Sequence, residues 1–223
     1  MTVPQLQTSI HRISLADSVY ETLVEAIVEG QLPPGTSLSS VDLSQQLQVS
    51  RTPVTELLQR LAHDGLVEQL SNRKAQVMQL SFEDISEIYE MRMMLEGAAA
   101  ERAATRLSPE TIRSLIQEAN RLKSRRREVG WHEQAIEYDL RFHQILAEAA
   151  DNKRMAEDIL RYRRLVRCFC RMTGSEQNLL AALKEHLNIL RMLEQRKPAA
   201  ARKAMVQHIK QRFQTVRSQL NSD

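Results

Sequence analysis

The stretch that most constrains this 223-residue chain runs from Val49 to Leu66, VSRTPVTELLQRLAHDGL. Its apolar residues Val54, Leu57, Leu58, Leu61 and Leu66 return at helical spacing and define one buried face. Ser50 stands where a helix N-cap is favoured, and Pro53 fits a first turn without costing a hydrogen bond. Gly65 fits the position just past a helix C-terminus. The opposite face carries Arg51, Thr52, Thr55, Gln59 and Arg60, a set able to bond phosphates and base edges. Upstream, Val41–Leu47 reads as a shorter helix, with Gln48-Val49 as a tight turn between the two. Two short helices so joined form a helix-turn-helix, whose second member enters the DNA major groove. An ordinary helical hairpin would satisfy the same pattern.

Around this unit, Ser14–Glu29 reads as an amphipathic helix with Leu15, Val19, Leu23, Ile27 and Val28 inward, and Met1–Arg12 as a mobile arm without a clear period. Pro33-Pro34-Gly35 makes a rigid turn, and Leu38 plugs the core before the next helix begins near Ser40. Leu66–Leu70 and Ala75–Leu80 alternate about the polar turn Ser71–Lys74, the pattern of a small β-hairpin wing. Arg73 at its tip is either a minor-groove contact or a solvated turn residue.

The run Gly30-Gln-Leu-Pro-Pro-Gly35, then Leu38, Leu43, Val49-Ser-Arg-Thr-Pro-Val54, Leu58, Arg60-Leu61 and Asp64-Gly-Leu-Val67 resembles the winged-helix domain of GntR-family bacterial transcription regulators. The resemblance covers about the first third of the chain and implies binding to double-stranded operator DNA. Two positions depart from it. Thr55 stands where the family commonly has arginine, and Lys74 where the wing turn usually ends in glycine. DNA binding is implied by the rest; the contact set and target sequence are not.

Charge argues the other way. Residues 1–80 hold five Lys/Arg against eight Asp/Glu, a net of −3, while the remainder holds 26 against 20, a net of +6. A DNA-binding domain is usually the basic part. The local placement of Arg51, Arg60, Arg73 and Lys74 outweighs that sum, because Asp17, Glu21, Glu25 and Glu29 fall on a first helix that can face away from DNA. No run of eighteen apolar residues exists, which excludes a membrane helix, and the N-terminus lacks a signal pattern, so a cytoplasmic location is expected. Cys168 and Cys170 sit two apart within one helical stretch and point to different sides, so free thiols are expected.

From Ser81 the texture changes. Glycine and proline are scarce and six helices are expected: about 81–106 behind the capping box Ser81-Phe-Glu-Asp84, then 108–129, 131–150, 153–173, 175–196 and 198–220. Short connections make neighbours antiparallel. The fold class is therefore mostly α: residues 1–80 read as a winged helix-turn-helix, and 81–223 as a six-helix antiparallel bundle. Arg125-Arg126-Arg127 and the arginines from Arg161 to Arg171 read as solvated helix faces.

Asp139 and His143 lie four apart and project from one helix face. His186 and His208 each sit mid-helix among apolar residues, and buried imidazoles need partners. One carboxylate and three imidazoles from three helices can satisfy one another around a divalent cation, or each can bond a separate carbonyl. Here a second resemblance enters. Arg92 with Leu95-Glu96, Asp139-x-x-Phe-His143 followed by Asn152, Glu185-His186 and His208-Ile209 are similar to the FCD-type effector domain of one GntR branch. Six helices rather than seven suggest its VanR-like subgroup. The resemblance implies that Asp139, His143, His186 and His208 hold a metal ion, with zinc first and nickel, manganese or iron as alternatives. It also implies a small organic acid as effector and a homodimer. Arg92 is the residue expected to pair with the acid, unless it makes only an intrahelical salt bridge to Glu96. Two other classes stay open. A metal-dependent hydrolase or oxygenase would use a similar ligand set, and a plain DNA-binding or scaffolding protein would keep the histidines as structure only.

Overall fold

The computed structural model describes residues 15–71, 74–169 and 175–220. The expected arm over Met1–Arg12, the wing-tip Arg73 and Cys170 fall outside the described residues. Contacts divide the chain into two units, Met1–Gln79 and Leu80–Asp223. No described helix is long and apolar enough to cross a membrane.

The first unit opens with α1, Leu15–Val28. Its buried stripe is Tyr20, Leu23, Val24 and Ile27, so Val19 and Val28, expected inward, lie at its margins. The stripe is turned toward Tyr20, whose hydroxyl donates to Asp64. Next come α2, Ser40–Gln46, and α3, Arg51–His63. Ser39 caps α2 through its hydroxyl, which accepts from Val41 N at 3.2 Å. Gln48 reverses the chain with φ 54 between the two helices. Ser50 occupies the N-cap position of α3 in extended backbone but makes no side-chain cap bond. Val54, Leu57, Leu58 and Leu61 are buried. Gly65, at φ 77, ends α3: its N–H donates to Ala62 O and that of Leu66 to Leu61 O, a Schellman closure that needs the left-handed conformation.

The wing is a hairpin of β2, Val67–Ser71, and β3, Lys74–Val77, with Val67 opposite Val77 and an irregularity between Gln69 and Ser71. Its second arm ends at Val77, short of the expected Leu80. A strand absent from the sequence reading, β1 over Ser37–Ser39, pairs antiparallel with β3 and gives the order β1-β3-β2. Ser-Leu-Ser has little strand propensity of its own; tertiary burial of Leu38 opposite Ala75 fixes it there.

The second unit comprises α4 (Phe82–Arg106), α5 (Pro109–Ser124), α6 (Trp131–Ala149), α7 (Lys153–Phe169), α8 (Glu176–Glu194) and α9 (Pro198–Leu220). Their starts are written in side chains. Ser81 and Asp84 form a reciprocal capping box, and the hydroxyls of Ser108 and Ser175 accept from Thr111 N and Asn178 N. Helix α5 stops at Ser124, five residues before the expected Val129. Three consecutive arginines follow, Val129 is fully exposed, and the buried indole of Trp131 donates to Leu122 O at 2.7 Å, closing the helix end. Helix α4 packs most extensively on α9, and Gly97 permits the approach: a Cβ there would lie 2.8 Å from Val206 Cγ2.

Candidate functional site

In the second unit the buried stripes of five helices are interrupted by polar residues. Arg92 and Glu96 on α4, His143 on α6, Arg163 on α7, and His186 and His208 on α8 and α9 are each at most 9% exposed. They converge with Asp139, whose side chain is 28% exposed and is the part of the cluster that solvent reaches most. His186 Nε2 lies 3.4 Å from His208 Nε2, and Asp139 Oδ1 lies 3.6 Å from His186 Nε2 and 3.9 Å from His143 Nε2. The other oxygen of Asp139 accepts from Arg163 at 2.5 Å. All four residues expected from the sequence are thus brought together, with one carboxylate oxygen turned toward the imidazoles.

Behind them stands a second set of charges. His208 Nδ1 is 2.7 Å from Glu185 Oε2, and Arg212 donates to Glu185 Oε1 at 2.9 Å. His143 Nδ1 lies 2.5 Å from Glu96 Oε2, at an angle outside hydrogen-bond geometry. Arg92 Nε donates to Glu96 Oε1 at 2.7 Å, so the i,i+4 salt bridge is made, and its guanidinium lies over the Tyr89 ring. Phe142 stacks on His186 with ring centres 4.0 Å apart.

Burial pushes all three imidazoles down, His186 and His208 to about 3 and His143 well below its ordinary value with Arg163 adding to the effect. They are neutral near pH 7 and carry free lone pairs. Burial would raise the Asp139 carboxyl, but the Arg163 guanidinium beside it holds it well below the usual carboxylate range. Burial opposes charge on Arg92, while Glu96 keeps it protonated.

These residues fit a metal ion. Nε2 of His143 is buried without a hydrogen-bond partner, a cost that a cation shared with the Nε2 atoms of His186 and His208 removes. Donor atoms bound at ~2.1 Å to one ion stand roughly 3 to 3.5 Å apart, close to the spacings above. The three histidines offer ligand atoms within 4.8 Å of one another. One carboxylate with three imidazoles suits borderline divalent ions.

In the first unit the polar face of α3 is exposed at Arg51, Thr52 and Gln59. Thr55 is half-buried and its hydroxyl donates to Arg51 O at 3.0 Å. Arg60 is engaged within the unit: it donates to Asp17 at 2.6 Å and lies 3.9 Å over the Tyr20 ring.

Sequence reasoning missed Arg163 and Arg212, and passed over Glu96 and Glu185 as site members. Arg163 was read with the solvated arginines of α7, yet it is buried. The signal was its phase: Ile159, Arg163 and Val166 share the buried face. A charge in an apolar slot is the mark of a buried partner. Arg125, Arg126 and Arg127 are exposed, as expected.

Comparison with known proteins agrees with this layout. Residues 15–77 match the family described as bacterial regulatory proteins, gntR family, and residues 87–211 match the FCD domain. The HTH-type transcriptional repressor RspR of Escherichia coli K12 is 30% identical over 218 residues, spanning 92% of this chain and 91% of the relative. The solved structure of E. coli McbR/YncC shares the fold with a TM-score of 0.74, covering 94% of this chain and 100% of its own at 21% identity. A GntR transcriptional regulator from Rhodococcus sp. RHA1 gives 0.68 over 94% and 98%, at 25% identity. The chain belongs to the GntR family of bacterial transcriptional regulators, with an FCD effector domain as its second part, and it is a regulator rather than an enzyme.

Proposed function

We propose that the chain binds palindromic operator DNA as a homodimer in the cytoplasm, and that its helical unit holds a divalent metal ion that helps bind a small carboxylate metabolite. The observation that carries this reading is the buried cluster of three neutral imidazoles, two of them facing Asp139 Oδ1 and the third, His208, against His186. Asp139, His143, His186 and His208 would hold the ion, zinc first, with nickel, manganese or iron as alternatives. The ion supplies a Lewis-acidic anchor for an anionic oxygen. Six helices among the described residues of the second unit favour the VanR-like subgroup.

Arg92 is the expected partner of the acid. Its Nε is held by Glu96, which leaves the terminal nitrogens to take two carboxylate oxygens. On the DNA side Arg51, Thr52, Thr55 and Gln59 offer base and phosphate contacts from α3, with Arg73 on the wing. Arg60 would have to leave Asp17 to join them. An acid that binds one arrangement of the two winged-helix units better than another shifts the population, and with it the spacing of the recognition helices.

The test has two parts. Elemental analysis of untagged protein purified without chelator should find about one divalent ion per chain; none would remove the metal from this reading. Gel-shift titration of operator DNA with candidate acids should change affinity, and an acid that binds the protein yet leaves DNA affinity unchanged would refute the coupling.

A further inference from the structure

Among the three imidazoles, only His208 has a hydrogen-bonded carboxylate behind it. Glu185 Oε2 stands 2.7 Å from His208 Nδ1, and Glu185 is itself pinned by Arg212, which also donates to Asn178 O at 3.0 Å. A carboxylate flanked by an arginine accepts hydrogen bonds, so the ring must present an N–H at Nδ1. That leaves Nε2 as a bare lone pair, and Nε2 is the atom that faces His186 Nε2 at 3.4 Å. His186 has no such support: its Nδ1 is buried and unbonded, and its ring is held by stacking on Phe142. His143 is intermediate, with Glu96 close to Nδ1 but misaligned.

We propose that Glu185, held by Arg212, is a positioning residue that locks His208 in the Nδ1–H tautomer and so aims its Nε2 at the metal position. The proposal rests on the metal reading given under Proposed function. Before an ion arrives, His186 satisfies the bare His208 Nε2 by donating from its own Nε2. His208 is therefore the pre-set ligand, whereas His186 must exchange tautomer, its proton leaving Nε2 and one returning at Nδ1, before its own Nε2 can take a cation. Outer partners of this kind typically change metal affinity by roughly 10- to 100-fold.

The experiment uses full-length, untagged, metal-free protein. Long-range proton–nitrogen NMR of the imidazoles should show His208 as the Nδ1–H tautomer and His186 as Nε2–H. Zinc affinity is then measured by competition with a chromogenic chelator. Glu185→Ala should lower it roughly 10- to 100-fold, and Glu185→Gln, which keeps an acceptor oxygen, should recover part of the loss. Arg212→Met should fall between wild type and Glu185→Ala, while its own His208 signal drifts toward a tautomer mixture. A wild-type His208 that is Nε2–H, or zinc affinity unchanged in Glu185→Ala, would overturn the proposal. Failure of wild type itself to bind zinc, nickel, manganese or iron would overturn the metal reading and this role with it. The three failures are distinct. If Glu185→Ala does not fold, the Gln and Met variants and the wild-type tautomers decide.

Discussion

The two units of this chain place their polar chemistry on opposite sides of their cores. In the winged-helix unit no charged residue is buried among the described ones, and Arg51, Thr52 and Gln59 stand in water on the outer face of α3. In the helical unit the charges are inside, with Arg92, Glu96, His143, Arg163, His186 and His208 all buried. An exposed contact residue can be changed without disturbing the fold that carries it. A buried charge commits its neighbours, since each must be compensated where water cannot reach. Function and stability should therefore separate in the first unit and move together in the second.

The strongest attempt to break this contrast is Glu96→Ala. It strips Arg92 of its carboxylate inside the protein, so a loss of about 3–5 kcal/mol is expected, read by denaturant titration. A loss under about 1 kcal/mol would show that the buried charges are not coupled. Next comes the ion. Zinc at a hundredfold excess over its dissociation constant should add about 2.7 kcal/mol to metal-free protein, seen as a rise in melting temperature that a chelator reverses. Arg51→Ala should cost roughly 1–3 kcal/mol of operator affinity while shifting stability by no more than about 0.5 kcal/mol. Footprinting and a melt on the same sample would show whether the two effects separate.

Gly97→Ala sharpens the packing side of the comparison. Alanine gains up to about 1 kcal/mol of helix propensity, but its methyl would meet Val206 Cγ2, and overpacking costs about 1–3 kcal/mol. A net loss of up to roughly 2 kcal/mol follows from those two figures, read by denaturant titration. The smallest effect belongs to the α4 cap. The bonds from Ser81 hold the exposed Asp84 carboxyl below its ordinary 3.8. A depressed folded value adds stability above 3.8 that is lost as pH falls through the lower, folded one. The melting-temperature advantage of wild type over Asp84→Asn should shrink below pH 3.8 and be flat above pH 5.

Legibility in the sequence followed the same division. Helix starts were readable because single side chains encode them, as Ser81 with Asp84 and Ser108 with Pro109 show. The end of α5 was not, since it depends on an indole reaching back from the next helix. β1 was missed because a three-residue strand draws its stability from the partner it meets. At the site, His143, His186 and His208 stood out by residue type, and the structure gathers them with Asp139. Glu185 and Arg163 did not stand out, because acids and arginines are common on helices and only their phase marked them as inward.

Trp131 also has a practical use. It is the sole tryptophan of the chain, it is buried, and its N–H is tied to Leu122 O. Emission excited at the red edge of the indole band comes from the helical unit alone. Its shift on heating or in denaturant follows that unit's melting, and the winged-helix unit, whose only tyrosine is Tyr20, stays optically silent. Intrinsic fluorescence and backbone circular dichroism, recorded on one sample, can thus time the two halves of the molecule separately without a label.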